Sequence, residues 1–351
     1  MSYASKLALR LTPYVAGEQP RGQTFIKLNT NENPYPASKR VLQAVLQAAG
    51  EVRLYPDPES TALRASIARV NGLAPEQVFC GNGSDEVLAF AFAALFAGKT
   101  VCAPDITYSF YPVYADLFGV DYRTVPLRED FTVDVDGLCC GCPIVLANPN
   151  APTGRMLPVT EIRRLAEHAR AHGQPILVDE AYAAFAPENA VPLLAEFDNL
   201  LIVRTFSKSH SLAGMRVGYA LGDPALIDLL RRVRDSFNSY PVDRLAQAAA
   251  TAAMDDIDYN AVAVQKIVND REACFRRLTE AGITVLPSAT NFLFVRAHDT
   301  DAAPIQQALR DEGILVRHFA KGRLAPWLRV TIGHQQDMPR VTDALIRCIK
   351  G

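Results

Sequence analysis

Short apolar runs alternate with helical patterns through the middle of the chain. The runs predict strands over 78–80, 100–103, 121–125, 143–147, 176–178, 200–205 and 217–221. Between many of them, apolar residues recur at helical spacing, as over 85–97 and 159–172. Continuous apolar strands separated by helices predict an α/β fold with a mostly parallel sheet covered on both faces. Such sheets take ligands in the crevice at the carboxyl ends of their strands, so informative residues should follow strand ends.

Asp223-Pro224 predicts a helix start, with Asp at the cap and Pro in the first turn. The stretch 243–281 has one long helical pattern, and a second mixed unit follows it. Its strands are expected near 283–286, 292–295 and 328–332, flanked by helices near 302–312 and 338–349. The first forty residues are loop-rich, contain several prolines and should lie against another part of the molecule. The expected organisation is an arm and part of a small domain over 1–45, a large domain over 46–242, and the small domain over 243–351.

The 351 residues can bury a large core without a disulfide or metal staple. The net charge, 36 − 38 = −2, gives no basic excess for nucleic acid or an acidic membrane. No run of about 18 uninterrupted apolar residues suggests a membrane span. The opening residues lack the long apolar stretch of a secretory signal. Seven cysteines form no disulfide framework, so a reducing cytoplasm is the expected compartment.

Three segments carry candidate chemistry. Gly81-Asn82-Gly83-Ser84-Asp85 joins a strand to an apolar helix, where free amides attract phosphate or where Ser84 or Asp85 caps the helix. The strand ending at Asp179, with Tyr182 three residues on, offers a carboxylate for a metal, a helix cap or a cationic ring. Ser207-Lys208 follows another strand, and Arg216 comes shortly after. Together these meet the needs of an aldehyde cofactor: a lysine to bind it covalently, a carboxylate to keep a pyridine nitrogen protonated, and phosphate contacts from Ser207 and Arg216. Cys139-Cys140-Gly141-Cys142 looks like half a zinc site, but no second Cys/His pair has suitable spacing. His168 and His172 share a helix face without an evident third ligand, so no metal is expected. Trp327 should pack beside the strand that carries Arg329.

Asn148-Pro149-Asn150-Ala151-Pro152-Thr153-Gly154, the step from Asp179 to Tyr182, and Ser207-Lys208 with Arg216 resemble the fold type I aminotransferases over nearly the whole chain. Further segments are similar to the histidinol-phosphate aminotransferase family. They are Leu11-Thr12-Pro13-Tyr14, Leu28-Asn29-Thr30-Asn31-Glu32-Asn33-Pro34, Arg53-Leu54-Tyr55-Pro56-Asp57 and Leu328-Arg329-Val330-Thr331-Ile332-Gly333. The resemblance implies a large domain with a mostly parallel seven-stranded sheet, a smaller α+β domain, and pyridoxal 5'-phosphate as cofactor. Lys208 would be the Schiff-base lysine and proton shuttle, Asp179 the partner of the ring nitrogen, and Tyr182 the partner of the ring hydroxyl. Tyr108 would stack on the ring, and Gly83, Ser84, Asp85, Ser207 and Arg216 would surround its phosphate. Tyr55 would reach that phosphate from the neighbouring subunit of a homodimer with shared sites. Tyr14, Asn31, Arg317 and Arg329 would line the substrate site. The family often places Asn immediately before Pro-Thr-Gly. Here Ala151 stands there, leaving Asn150, Asn148 or a water as substitute. The implied reaction interconverts L-histidinol phosphate plus 2-oxoglutarate with imidazole acetol phosphate plus L-glutamate. An aromatic amino-acid aminotransferase and a threonine-phosphate decarboxylase are the alternatives.

Overall fold

The computed structural model describes residues 3–14, 17–20 and 25–351. Its strands are β1 (Ile26–Leu28), β2 (Val78–Gly81), β3 (Thr100–Pro104), β4 (Asp121–Val125), β5 (Ile144–Ala147), β6 (Ile176–Asp179), β7 (Leu200–Thr205), β8 (Gly218–Gly222), β9 (Val285–Leu286), β10 (Phe292–Arg296), β11 (Ile314–His318) and β12 (Trp327–Thr331). A seven-stranded sheet runs in the order β2-β8-β7-β6-β5-β3-β4. Only β8 runs against its neighbours; β4-β3-β5-β6-β7 is parallel throughout. The expected strands all appear, displaced by a residue or so at their ends.

Burial explains why these strands are apolar at every position. Ile144 and Leu146 of β5 pack with Ile162, Leu165 and Ala169 of the helix Val159–Ala171. Val145, Leu177 and Leu201 face Leu88, Phe92 and Ile227 on the opposite side. With a helix layer on each face, period-two alternation is lost. The chain builds β3 and β4 outward, then returns to place β5, β6 and β7 on the other side of β3. That reversal opens a crevice at the carboxyl ends of β3, β5 and β6.

The second sheet has the order β1-β11-β12-β10-β9. β1 pairs in parallel with β11, Ile26 opposite Ile314, so part of the N-terminal arm is stitched into the C-terminal unit. Neither β1 nor β11 is among the strands expected from the sequence: one is three residues long, and the other ends in Arg317 and His318. Trp327 begins β12 itself and stacks on Phe294, ring centroids 5.0 Å apart.

Two helices depart from the expected pattern. The helix after β2 starts at Gly83 and passes into a π-helical turn over Phe92–Phe96. The helical stretch after 243 is two helices, Arg244–Met254 and Ile257–Glu280. Asp255 marks the break. Its carboxylate accepts a hydrogen bond from Ser66 Oγ at 2.9 Å and pairs with Arg40 and Arg69. Three partners on other helices hold the chain out of line there. No helix among the described residues is long and apolar enough to cross a membrane.

Candidate active site

A cavity of about 290 Å³ lies in the crevice. Asp179, Tyr182, Ser207 and Lys208 line it, as do Ser84, Asp85, Tyr108 and Arg216. Most reach it from a strand exit or helix start, while Arg216 lies just before β8. Asp179 is the last residue of β6, and Ser207 and Lys208 follow β7. Ser84 is the second residue of the helix Gly83–Ala91. A Cβ on Gly218 would sit 2.3 Å from the Ser84 amide nitrogen, so a glycine in β8 is what lets that helix start press against the sheet.

Asp179 is 5% exposed. Tyr111 Oη donates to its Oδ2 at 2.8 Å, and the Ala181 amide donates to Oδ1 at 3.1 Å. Burial pushes this carboxyl up to about 6, aided by Asp85 and Glu180, while those two hydrogen bonds pull the other way. No cation pairs with it among the described residues. Such a group is matched to a ligand that brings a cationic N–H.

Burial also pulls the Lys208 amine down to about 8, with Arg329 and Arg216 assisting; Glu32 and Asp85 oppose the shift. Its Nζ donates to the Thr30 carbonyl at 3.2 Å. A lysine held there is the free base for roughly a tenth of the time at pH 7, far more than an ordinary lysine, and nucleophilic and proton-transfer roles need that form.

Arg216 has φ +51 and aims its guanidinium back at the helix start. Its Nη2 lies 3.0 Å from Asp85 Oδ2, and its Nη1 donates to Ser207 Oγ at 3.3 Å. Gly83 has φ +79, and a Cβ there would meet Arg216 Nη2 at 2.4 Å. The glycine makes room for the guanidinium. Helix amides, two serine hydroxyls and an arginine thus converge as a phosphate cradle. Tyr108 Oη donates to Asp85 Oδ1 at 2.8 Å, which fixes the aromatic wall to the same carboxylate.

Other predicted residues lie outside the lining. Asn31 stands behind Tyr182, donating from Nδ2 to its hydroxyl at 2.8 Å; its own φ is +57 and Thr331 Oγ1 donates to its Oδ1. Neither Asn150 nor Asn148 lines the cavity beside Ala151. Asn150 Nδ2 donates to the Ile106 carbonyl and to Thr153, and its side chain lines a neighbouring cavity with Arg155. Asn148 exchanges both of its amide bonds with the Leu157 backbone. Ala151 itself lines the active-site cavity.

Arg329 lies opposite Arg317 in the β11–β12 pairing. Arg329 Nη2 donates to the Asn29 carbonyl at 2.9 Å, its Nε is buried with no partner among the described residues, and burial lowers its pKa. Tyr14 stacks on Phe110 with centroids 4.8 Å apart. Tyr55 is 79% exposed, stacks on Tyr240 and is not among the residues lining its own chain's cavity.

The sequence reading missed Thr30, Glu32 and Gln19, which also line the cavity, and Tyr111, which holds Asp179. Glu32 adjoins Asn31, so its position in the segment was a usable signal. Tyr111 had none, because its bond to Asp179 exists only once β3 and β6 are set in one sheet.

The model of the family described as aminotransferase class I and II matches residues 23–345. The histidinol-phosphate aminotransferase of Acetobacter pasteurianus is 49% identical over 346 residues, 97% of this chain and 96% of that one. Histidinol-phosphate aminotransferase 1 of Methylococcus capsulatus is 49% identical over 99% of this chain and 98% of its own. The crystal structure of histidinol-phosphate aminotransferase from Sinorhizobium meliloti, in complex with pyridoxal-5'-phosphate, superposes with a TM-score of 0.89 at 30% identity. It covers 100% of this chain and 98% of that chain. A cavity walled by an unpaired carboxylate, a lysine and a phosphate cradle is what such a cofactor requires, and the chain belongs to the class I and II aminotransferases, within the histidinol-phosphate aminotransferase family.

Proposed function

We propose that the chain transfers an amino group between L-histidinol phosphate and 2-oxoglutarate, giving imidazole acetol phosphate and L-glutamate in histidine biosynthesis, with pyridoxal 5'-phosphate as cofactor. The observation that carries the reading is one cavity lined by Lys208, with its amine near pKa 8, and by the buried carboxylate of Asp179. Identity of 49% to histidinol-phosphate aminotransferases over 97% of the chain supports the substrate.

Bound there, the cofactor supplies an aldehyde that takes up the amino group and a protonated ring that accepts electrons from the substrate's Cα. The chain's residues do the rest. Ser84, Ser207 and Arg216 hold the phosphate, with Asp85 anchoring Arg216 and Tyr108. Asp179 keeps a proton on the ring nitrogen by charge pairing, which also compensates its own burial. Tyr182 Oη, oriented by Asn31, donates to the ring hydroxyl, the duty the missing asparagine would share. Lys208 Nζ moves the proton released at the substrate's Cα. Arg329 and Arg317 hold the carboxylate or phosphate of the alternating substrates, since guanidinium forks suit both anions.

We also infer a cytoplasmic homodimer. All seven cysteines are free thiols, which suits a reducing compartment. The outward Tyr55, beside exposed Leu54 and Tyr240, suits a contact through which Tyr55 reaches the partner's phosphate cradle. Sedimentation of a monomer would reject this arrangement.

The deciding experiment follows the cofactor's absorbance in purified protein given L-histidinol phosphate or phenylalanine, then 2-oxoglutarate. The expected kcat/KM is higher for histidinol phosphate. A higher value for phenylalanine would assign an aromatic aminotransferase, and CO2 from threonine phosphate would assign the decarboxylase.

A further inference from the structure

Three cysteines with no part in transamination converge away from the active site. The sulfurs of Cys102, Cys140 and Cys142 lie within 4.8 Å of one another. Strand register brings them together. Cys102, on β3, stands opposite Ile144 on β5, and its amide donates to the Pro143 carbonyl at 2.9 Å. Cys142 precedes Ile144 by two residues, so its side chain falls on the same face of the sheet as Cys102. Gly141 has φ +76, a left-handed turn that folds Cys140 back toward the same point.

The neighbours fix this turn without entering the cluster. The Gly141 amide donates to His168 Nε2 at 3.2 Å, which occupies that imidazole nitrogen. His172 Nδ1 lies 2.9 Å from the His168 carbonyl, and a Cβ on Gly141 would touch the His172 ring. Accessibility is graded: Cys102 is buried, Cys142 half-buried and Cys140 exposed. The cluster is therefore walled by protein at Cys102 and open to solvent at Cys140. It sits at the amino end of β5, whereas the active site occupies the carboxyl ends of the strands.

We propose that Cys102, Cys140 and Cys142 form a three-thiolate binding site for a thiophilic cation, with Zn2+ as the fitting ion. Thiolates select soft or borderline cations over Mg2+ and Ca2+. Zinc–sulfur bonds of about 2.3 Å put tetrahedral ligands roughly 3.8 Å apart, so the observed spread closes with small side-chain rotations. The exposed side leaves the fourth position to water. On binding, three S–H bonds give their protons to solvent and three metal–sulfur bonds form, with no change of oxidation state. The ion would clamp the turn before β5 onto β3. The linear sequence shows only the Cys-Gly-Cys half of this site, because the third ligand comes from a neighbouring strand.

The test uses reduced holoenzyme equilibrated with Zn2+, exchanged against a weak chelator and assayed for metal per chain. Sulfur-to-cobalt charge-transfer absorbance with Co2+ reports thiolate ligation separately. Wild type and Cys139→Ser should retain stoichiometric zinc and show the charge-transfer band. Cys140→Ser and Cys142→Ser should each weaken retention by at least about 10-fold while transamination is unchanged. The Cys140 substitution is on the surface, so its result does not hinge on folding. The proposal is overturned if wild type retains no more zinc than the Cys140→Ser/Cys142→Ser double variant, or if Cys139→Ser loses as much as they do. It is also overturned if the reduced protein takes up no zinc and mass analysis shows two of these thiols closing as a disulfide in air.

Discussion

On the seven-stranded sheet the site residues follow strand ends: Tyr108 after β3, Asp179 closing β6, Ser207 and Lys208 after β7. On the five-stranded sheet the two arginines sit inside strands, Arg317 on β11 opposite Arg329 on β12. In the function proposed above, the first group would meet a ligand that stays through both half-reactions, and the second would meet substrates that alternate between a phosphate monoester and a dicarboxylate. A permanent ligand rewards fixed dipoles and buried charges, whereas exchanging anions need a donor set that fits both, and a guanidinium fork matches carboxylate and phosphate alike. This division predicts different signatures. Substitutions on the large sheet should lower kcat in both half-reactions alike, and those on the small sheet should act through KM, with Arg317 discriminating between the substrates.

The largest effect is expected at Lys208. Lys208→Ala removes both the covalent anchor and the proton carrier, so transamination should fall by at least about 10²- to 10⁴-fold with either substrate. Borohydride reduction of the wild type followed by peptide mapping should label Lys208. A label on another lysine would remove the large sheet's central residue from the comparison.

Asp179 comes next. Asp179→Ala should lower kcat by about 10²- to 10³-fold, the scale set by losing a preorganised electrostatic partner. Its effect on the cofactor-free protein has the opposite sign. The folded carboxyl titrates near 6, above the ordinary 3.8, so the folded state binds the proton more tightly than the unfolded chain. The resulting stabilisation is present below the unfolded value and is lost as pH rises through about 6. Cofactor-free Asp179→Asn should therefore melt above wild type at pH 7, with the gap closing near pH 4. Equal melting temperatures at pH 7 would show that the carboxylate carries no burial cost.

How much of this division was visible in the sequence differs between the sheets. Buried parallel strands are apolar runs, and their exits are marked by residues such as Asp179 and Lys208, so that half of the site could be placed by strand position alone. The other half depends on pairing. The apolar run Ile314-Leu315-Val316 is a usable strand signal, but nothing in it says that the strand lies beside β12, so the adjacency of Arg317 and Arg329 is a property of register. The same limit hid Tyr111 beneath Asp179 and Cys102 beside Cys142. Asn150 shows a related limit: it stands one residue too early before Pro152 to match the family's asparagine, and only the folded backbone shows its amide nitrogen donating to the Ile106 carbonyl.

Arginine substitutions test the second half directly. Losing one charge-assisted contact costs roughly 1.5–3 kcal/mol, or about 10- to 150-fold in affinity. Arg329→Ala should raise KM for both histidinol phosphate and glutamate, since the proposed function gives it the shared anion position. Arg317→Ala should weaken the phosphate substrate more than glutamate. If both variants handle histidinol phosphate normally, the small sheet does not recognise the anion and the substrate assignment fails while the cofactor assignment stands.

The smallest effect probes where the two halves meet. Burial first, then Arg329, hold the Lys208 amine down, while Glu32 raises it. Glu32 is itself kept ionised: burial pushes its carboxyl up, but hydrogen bonds from Lys27 and Thr30 outweigh that and leave it lower than usual. Lys208 acts as a base when neutral, so the rate of the half-reaction beginning from 2-oxoglutarate should climb as pH rises through about 8. Glu32→Gln removes an anion that favours the ammonium, so the rising limb should move to lower pH. Arg329→Gln removes a cation that disfavours the ammonium, so the limb should move to higher pH. Each shift should be under about one pH unit, and stopped-flow profiles at saturating substrate would resolve it apart from any change in KM. Opposite displacements would mean that an arginine of the small sheet tunes the lysine of the large one. Displacement of both limbs in one direction, or of neither, would mean that burial alone sets Lys208 and that the two sheets act on separate parts of the reaction.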